Sequence, residues 1–154
     1  MKIIKTSDLT FEQKHTLFNL WNSEYPEKIC YREISEFEIY LNGLEGIKHF
    51  LCVDDCSQIF GWAFIFVRDK ENWFGIIINS KKQAKGFGTL LLKEIKKEKS
   101  SLNGWVIDHS NDIKQNGELY SSPLNFYFKN GFCIQNIKLE NNAISAVKIN
   151  WERE

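Results

Sequence analysis

The chain has 154 residues, 20 Lys plus Arg against 20 Asp plus Glu, and 43% hydrophobic residues that include 12 Phe, 5 Tyr and 5 Trp. This is the composition of one ordinary globular domain, large enough to be stable without disulfides or a structural metal, and it excludes collagen, disorder and a disulfide scaffold. Zero formal net charge gives no global field to gather a polyanion, so neither nucleic acid nor a membrane surface is an expected partner.

The longest uncharged run, between Asp55 and Arg68, falls far short of the ~20 apolar residues that span a bilayer. The start, Met1 to Asp8, becomes charged again too soon for a secretory signal, so a cytoplasmic protein is expected. Cys30, Cys52, Cys56 and Cys133 form neither a CxxC pair nor a close grouping with His15, His49 and His109, so no zinc site is expected and all four read as free, reduced thiols.

A short strand at Lys2–Lys5 comes first. Thr10 to Gln13 then reads T-x-x-Q, a capping box, and Phe11, Leu17, Phe18 and Trp21 continue at roughly helical spacing as far as Tyr25-Pro26. Ser35 to Glu38 repeats the signal as S-x-x-E before Phe37, Tyr40, Leu41 and Leu44, which predicts a second helix. His49–Val53, Gln58–Arg68 and Asn72–Asn79 are rich in Phe, Trp, Val and Ile, and polar turns too short for a crossover helix separate them. They predict an antiparallel meander.

Leu90–Lys99 returns to a helical pattern, with Phe87, Leu91 and Ile95 on one stripe, and Asn103-Gly104 reads as its stop. Trp105–His109 predicts a buried strand and Ser110–Tyr120 a polar loop. A helix from Pro123 to about Asn130 follows, with a left-handed cap at Asn130-Gly131. Phe132–Leu139 and Ala143–Trp151 close the chain as two strands around Glu140-Asn141-Asn142. No repeat or linker divides the chain. One α+β domain over residues 1–154 is expected, in the order β-α-α-β-β-β-α-β-α-β-β.

The segment Ile76 to Thr89 carries the chemistry. A buried strand runs through Asn79-Ser80-Lys81-Lys82-Gln83-Ala84-Lys85 into Gly86-Phe87-Gly88-Thr89 and opens a helix. Glycines permit close backbone approach, and a helix N-terminus offers unpaired N–H groups and about half a positive charge, so phosphate or pyrophosphate is the natural guest. Two better-known phosphate loops fail to fit. The Walker pattern is absent, and the dinucleotide fingerprint needs a third glycine where Leu91 stands. Gly86 and Gly88 equally suit a plain strand-to-helix turn.

Gln83-Ala84-Lys85-Gly86-Phe87-Gly88 resembles the Q/R-x-x-G-x-G/A motif of the GCN5-related N-acetyltransferase (GNAT) family. Downstream, Leu124 to Phe132 is similar to the family's second signature, a helix ending in Y-x-K-x-G-F, and the element order resembles that fold over nearly the whole chain. The resemblance implies a mostly antiparallel sheet of about seven strands flanked by four helices. It also implies acetyl-CoA as co-substrate, no metal, and direct attack by a primary amine of a small molecule or peptide within a ternary complex.

For individual positions the resemblance implies that backbone groups of Ile76, Ile77 and Ile78 pair with the pantetheine arm. Gln83, Ala84, Lys85, Gly86, Phe87, Gly88 and Thr89 would wrap the pyrophosphate, and Tyr127 would stand near the thioester sulfur. Many family members carry an asparagine seven residues before that tyrosine. Tyr120 stands there in this chain, with Asn125 or Ser122 as substitutes for the asparagine's contact.

His109, with Glu118 and water as alternatives, is the expected general base, because it ends the strand Trp105–His109 that would lie beside the cofactor strand, with Asp108 next to it. Glu24 and Glu27, beside Tyr25 and Tyr31, are equally readable as a seat for a cationic amine or as ordinary surface charge. The same fold would also serve a non-catalytic acyl-CoA-binding sensor or interaction module. Trp62, Trp73 and Trp151 on predicted strands read as core, and an apolar patch beyond core needs would mark a homodimer.

Overall fold

The computed structural model describes every residue from Met1 to Glu154. Seven strands are β1 (Lys2–Thr6), β2 (Glu45–Val53), β3 (Ile59–Arg68), β4 (Glu71–Ile78), β5 (Ser101–Ile107), β6 (Cys133–Glu140) and β7 (Ser145–Glu152). Four helices are α1 (Phe11–Glu24), α2 (Ile34–Asn42), α3 (Phe87–Glu98) and α4 (Leu124–Lys129). The strands form one sheet in the order β1-β2-β3-β4-β5-β7-β6.

At the start of α1 the Thr10 hydroxyl accepts the Gln13 N–H at 3.1 Å, and the Gln13 side chain accepts the Thr10 N–H at 2.9 Å. The capping box therefore forms as its spacing predicts. The second box does not form. Helix α2 begins at Ile34 with Glu33 at its N-cap and no side-chain cap, so Ser35 lies inside the first turn, and Glu38 meets Lys14 of α1 at 3.2 Å.

Central strand β3 is buried on both faces. Trp62, Phe64 and Phe66 pack with Leu17, Trp21 and Phe37 of α1 and α2, whereas Ala63 and Ile65 pack with Leu91, Leu92 and Ile95 of α3. The sheet is thus covered by α1 and α2 on one side and by α3 and α4 on the other, which explains why β3 reads as a continuous apolar run.

Strands β4 and β5 are parallel, and they pair in register only at Trp73 with Asn103. Beyond that point β4 stays on β3 as far as Ile78 and β5 stays on β7 as far as Ile107, so the two strands splay apart within an otherwise continuous sheet. The Asn103-Gly104 pair, expected to stop α3, lies inside β5 instead. The Asn103 side chain bonds to Asn150 and Glu71, and Gly104 lies against Phe74, whose Cε1 would sit 2.8 Å from a Cβ added there. Tertiary packing overrides the turn propensity of that dipeptide, and β5 starts earlier and ends sooner than Trp105–His109.

The remaining boundaries shift by a few residues. Strand β2 begins at Glu45 rather than His49, and α3 begins at Phe87 rather than Leu90.

His49 on β2 is 3% exposed, and its Nδ1 accepts the indole N–H of Trp62 at 3.1 Å. Burial lowers its pKa to about 4, with Asp8 acting weakly in the other direction. The unfolded chain takes up a proton at this residue from about pH 6.5 downward, and the folded chain does not do so until about pH 4. Stability therefore falls with pH across that window, by about 3 kcal/mol at its acid end. His49→Gln keeps an acceptor for Trp62 without the titration. Denaturation midpoints measured from neutral pH to about pH 4.5 should fall less steeply for the variant than for the wild type. Parallel curves would remove His49 from the account.

Candidate active site

After β4 the chain is held in a defined loop. The Asn79 side chain accepts the Lys81 N–H at 2.9 Å, and the Gln83 amide donates back to the Ile78 carbonyl at 2.9 Å. Ala84 and Gly86 both adopt left-handed backbone, with φ of 60° and 87°. Between Ala84 and Thr89, no backbone N–H finds an acceptor within the protein, and α3 has no side-chain N-cap. Left-handed residues alternating along a loop fold successive N–H groups into a concave anion seat, to which the α3 dipole adds.

The two glycines do different work. A Cβ on Gly86 would meet nothing within 4 Å, so its face is open. A Cβ on Gly88 would stand 2.8 Å from the Phe126 ring of α4. Gly86 thus supplies the backbone conformation. Gly88 lets α3 and α4 close on each other.

This loop, the free edge of β4 and the start of α4 border a cavity of about 610 Å³. Among the positions that the family resemblance assigns to the cofactor, all but Lys85 and Asn125 line it. Asn125 is exposed on the outer side of α4. Ser122 does line the cavity, with its hydroxyl bonded to the Ile107 carbonyl at 2.5 Å.

A second cavity, of about 310 Å³, lies between α1, α2 and the splayed part of the sheet. Five residues line both cavities, namely Tyr25, Ile76, Tyr120, Pro123 and Tyr127. The splay between β4 and β5 thus opens a passage from one side of the sheet to the other, and Tyr127 stands in it.

Tyr127 is 6% exposed and packs edge-on against Phe74, Phe126 and Phe132, with ring centroids 5.1 to 5.8 Å apart. Its hydroxyl is bonded to no protein group and is not sealed from solvent. Burial, and secondarily Tyr120, pushes its pKa far above the usual phenol range. Tyr25 and Tyr120 are raised by burial too, and their rings lie 6.4 Å apart. These phenols remain protonated throughout the physiological range and are donors toward whatever enters the passage.

Glu24 ends α1 and is the only carboxylate lining either cavity. Its Oε2 accepts the Ser80 N–H at 3.0 Å, and its Oε1 meets Lys114 Nζ at 3.4 Å, with both side chains largely buried. One carboxylate therefore ties α1 to the loop after β4 and to the loop after β5. Glu27 is exposed, so the two glutamates do not form a joint cationic seat.

His109 lies past the end of β5 and borders neither cavity. Its Nδ1 accepts the Asn111 N–H at 3.1 Å, and its Nε2 is 3.8 Å from Asp112. Glu118 is exposed in the same loop.

Sequence reasoning missed Tyr120, which it saw as a gap in a motif, and the pairing of Glu24 with Lys114, 90 residues apart. Spacing carries no signal for either.

No family model and no curated protein matches this sequence. Solved structures do match. An aminoglycoside 6'-N-acetyltransferase complexed with coenzyme A is similar at a TM-score of 0.74 and 17% identity, over 99% of this chain and 97% of that one. A ribosomal-protein-alanine N-acetyltransferase from Brucella melitensis is similar at a TM-score of 0.71 and 12% identity, over 99% of both chains. A GNAT superfamily phosphinothricin acetyltransferase from Sinorhizobium meliloti, in complex with AcCoA, matches at a TM-score of 0.69 and 12% identity, over 99% of this chain and 89% of that one.

The chain has the GNAT fold. At such identities the likeness is one of architecture.

Proposed function

We propose that the protein is an acetyl-CoA-dependent N-acetyltransferase that acts on a primary amine. The observation that carries this reading is the meeting of two cavities at Tyr127, one headed by an anion seat of unpaired N–H groups and the other walled by side chains. The three neighbours described above are acetyltransferases, two of them with coenzyme A or AcCoA bound, which supports the same cofactor class here.

Residues Ala84 to Thr89 would receive the pyrophosphate through their N–H groups. Lys82, which lines the cavity and is in no ion pair, would add charge beside it. Backbone groups on the free edge of β4 at Ile76 to Ile78 are the partners for the pantetheine amides. Acetyl-CoA would supply the acetyl group as an activated thioester.

The amine nitrogen forms the new bond to the acetyl carbon while the C–S bond breaks, its electron pair leaving on sulfur. Tyr127 donates a hydrogen bond to that sulfur. Its raised pKa makes full proton transfer unfavourable ahead of bond cleavage, so it works by stabilising developing charge. No histidine lines either cavity, and Glu24 is held by Ser80 and Lys114. The proton lost by the amine therefore goes to water in the cavity, and His109 belongs to its loop rather than to the reaction.

Thiol release from acetyl-CoA tests the reading. Addition of an amine should raise release above the hydrolytic background, and His109→Gln should leave the pH dependence of that rise unchanged. Binding of acetyl-CoA with no amine-dependent release would favour the sensor reading instead.

A further inference from the structure

The second cavity is lined chiefly by aromatic rings. All five tyrosines of the chain line it, together with Trp21, Trp73 and Trp105. Trp21 faces Tyr31 at 5.4 Å and Tyr40 at 5.3 Å between ring centroids, and Trp73 stacks on Trp105 at 5.6 Å where β4 and β5 part. None of the tyrosine hydroxyls is bonded within the protein, and none is sealed from solvent.

The lining contains no aspartate or glutamate. Its one formally charged side chain is Arg68, exposed at the end of β3, with its guanidinium 5.0 Å from the Phe66 ring centroid and 5.9 Å from that of Trp73. Arg68 is in no ion pair, so its charge is uncompensated at the rim.

We infer that the acceptor is a monoamine carried on a flat aromatic body, an arylalkylamine, and not a polyamine or an amino sugar. This inference rests on the acetyltransferase reading and narrows it. Ring faces attract a single ammonium group, and flat apolar surface stacks among them. A second or third positive charge would meet Arg68 and find no carboxylate in this cavity, and Glu24 in the adjoining one is already paired with Lys114. At about 310 Å³ the cavity lies at the small end of ligand pockets, too small to bury a multi-ring amino sugar. The aromatic body would lie against the wall that Trp21, Tyr31 and Tyr40 form by packing on one another, and direct the amine into the passage at Tyr127.

Two probes separate the possibilities, 2-phenylethylamine and spermidine, each assayed by amine-dependent thiol release beside a direct acetyl-CoA titration. The expected kcat/KM for 2-phenylethylamine exceeds that for spermidine by about 100-fold, the scale on which apolar pocket contacts discriminate. Binding of 2-phenylethylamine should also change tryptophan emission, since Trp21, Trp73 and Trp105 line the cavity. Arg68→Glu, at an exposed position, should shift the preference toward spermidine by about tenfold and leave acetyl-CoA affinity unchanged. Acetyl-CoA binding with spermidine equal or preferred in the wild type overturns the inference and leaves the acetyltransferase reading standing. Failure of acetyl-CoA to bind overturns the reading on which the inference rests, whatever 2-phenylethylamine does to the emission.

Discussion

Glu24→Ala is expected to lower the unfolding free energy by about 3 kcal/mol, because it strands Lys114 in a largely buried site and removes the acceptor of the Ser80 N–H. In a chain of this size that is a fall in Tm of roughly 6–12 °C. Lys114→Met should cost a similar amount, since methionine fills the space but leaves the Glu24 carboxylate buried with only the Ser80 N–H as partner. The double variant should be more stable than the sum of the two single losses predicts. Acetyl-CoA affinity should fall along with stability, because Ser80 begins the loop that leads to Gly86. A loss below about 1 kcal/mol, with single effects that simply add, would show the pair to be an ordinary surface contact.

The second large effect is on turnover. Tyr127→Phe deletes a hydroxyl that bonds to nothing in the protein and keeps the ring against Phe74, Phe126 and Phe132. Folding stability and acetyl-CoA affinity should therefore stay close to those of the wild type, while kcat falls about 100-fold for loss of a donor to the leaving sulfur. Tyr120→Phe, at the neighbouring phenol, should have the smaller effect. An unchanged kcat in Tyr127→Phe would remove the residue from the mechanism and leave it as core packing.

Much of the path to this site is legible in the sequence because local rules govern it. Thr10 and Gln13 cap α1 through contacts three residues apart, and the strand, polar loop and glycines from Ile76 to Gly88 announce a strand-to-helix turn with exposed N–H groups. Gly131, with φ of 87°, ends α4 as its dipeptide predicts.

The illegible parts depend on partners distant in the chain. Asn103-Gly104 carries a turn signal, yet Phe74 needs the glycine and Asn150 needs the asparagine. Ser35 and Glu38 fit a capping box, yet α2 starts one residue before Ser35 and Glu38 pairs with Lys14. The aromatic cavity is the extreme case. Trp21, Tyr31, Tyr40, Trp73, Trp105 and Tyr120 sit on different segments, and no spacing in the sequence joins them. Only the splay of β4 from β5, caused by no motif, turns them into a wall. His109 shows the converse, a residue of suitable chemistry that falls outside both cavities because β5 ends two residues earlier.

The account stands on the anion seat at the start of α3, and calorimetric titration with acetyl-CoA tests it most directly. The wild type should bind with Kd in the micromolar range, roughly −8 kcal/mol. Gly86→Val forces a β-branched residue into left-handed backbone on the open face of the loop and should weaken binding at least about tenfold in a still-folded protein. No binding by the wild type, or equal binding by the variant, would mean that the row of free N–H groups is a structural turn and that the cofactor assignment is wrong.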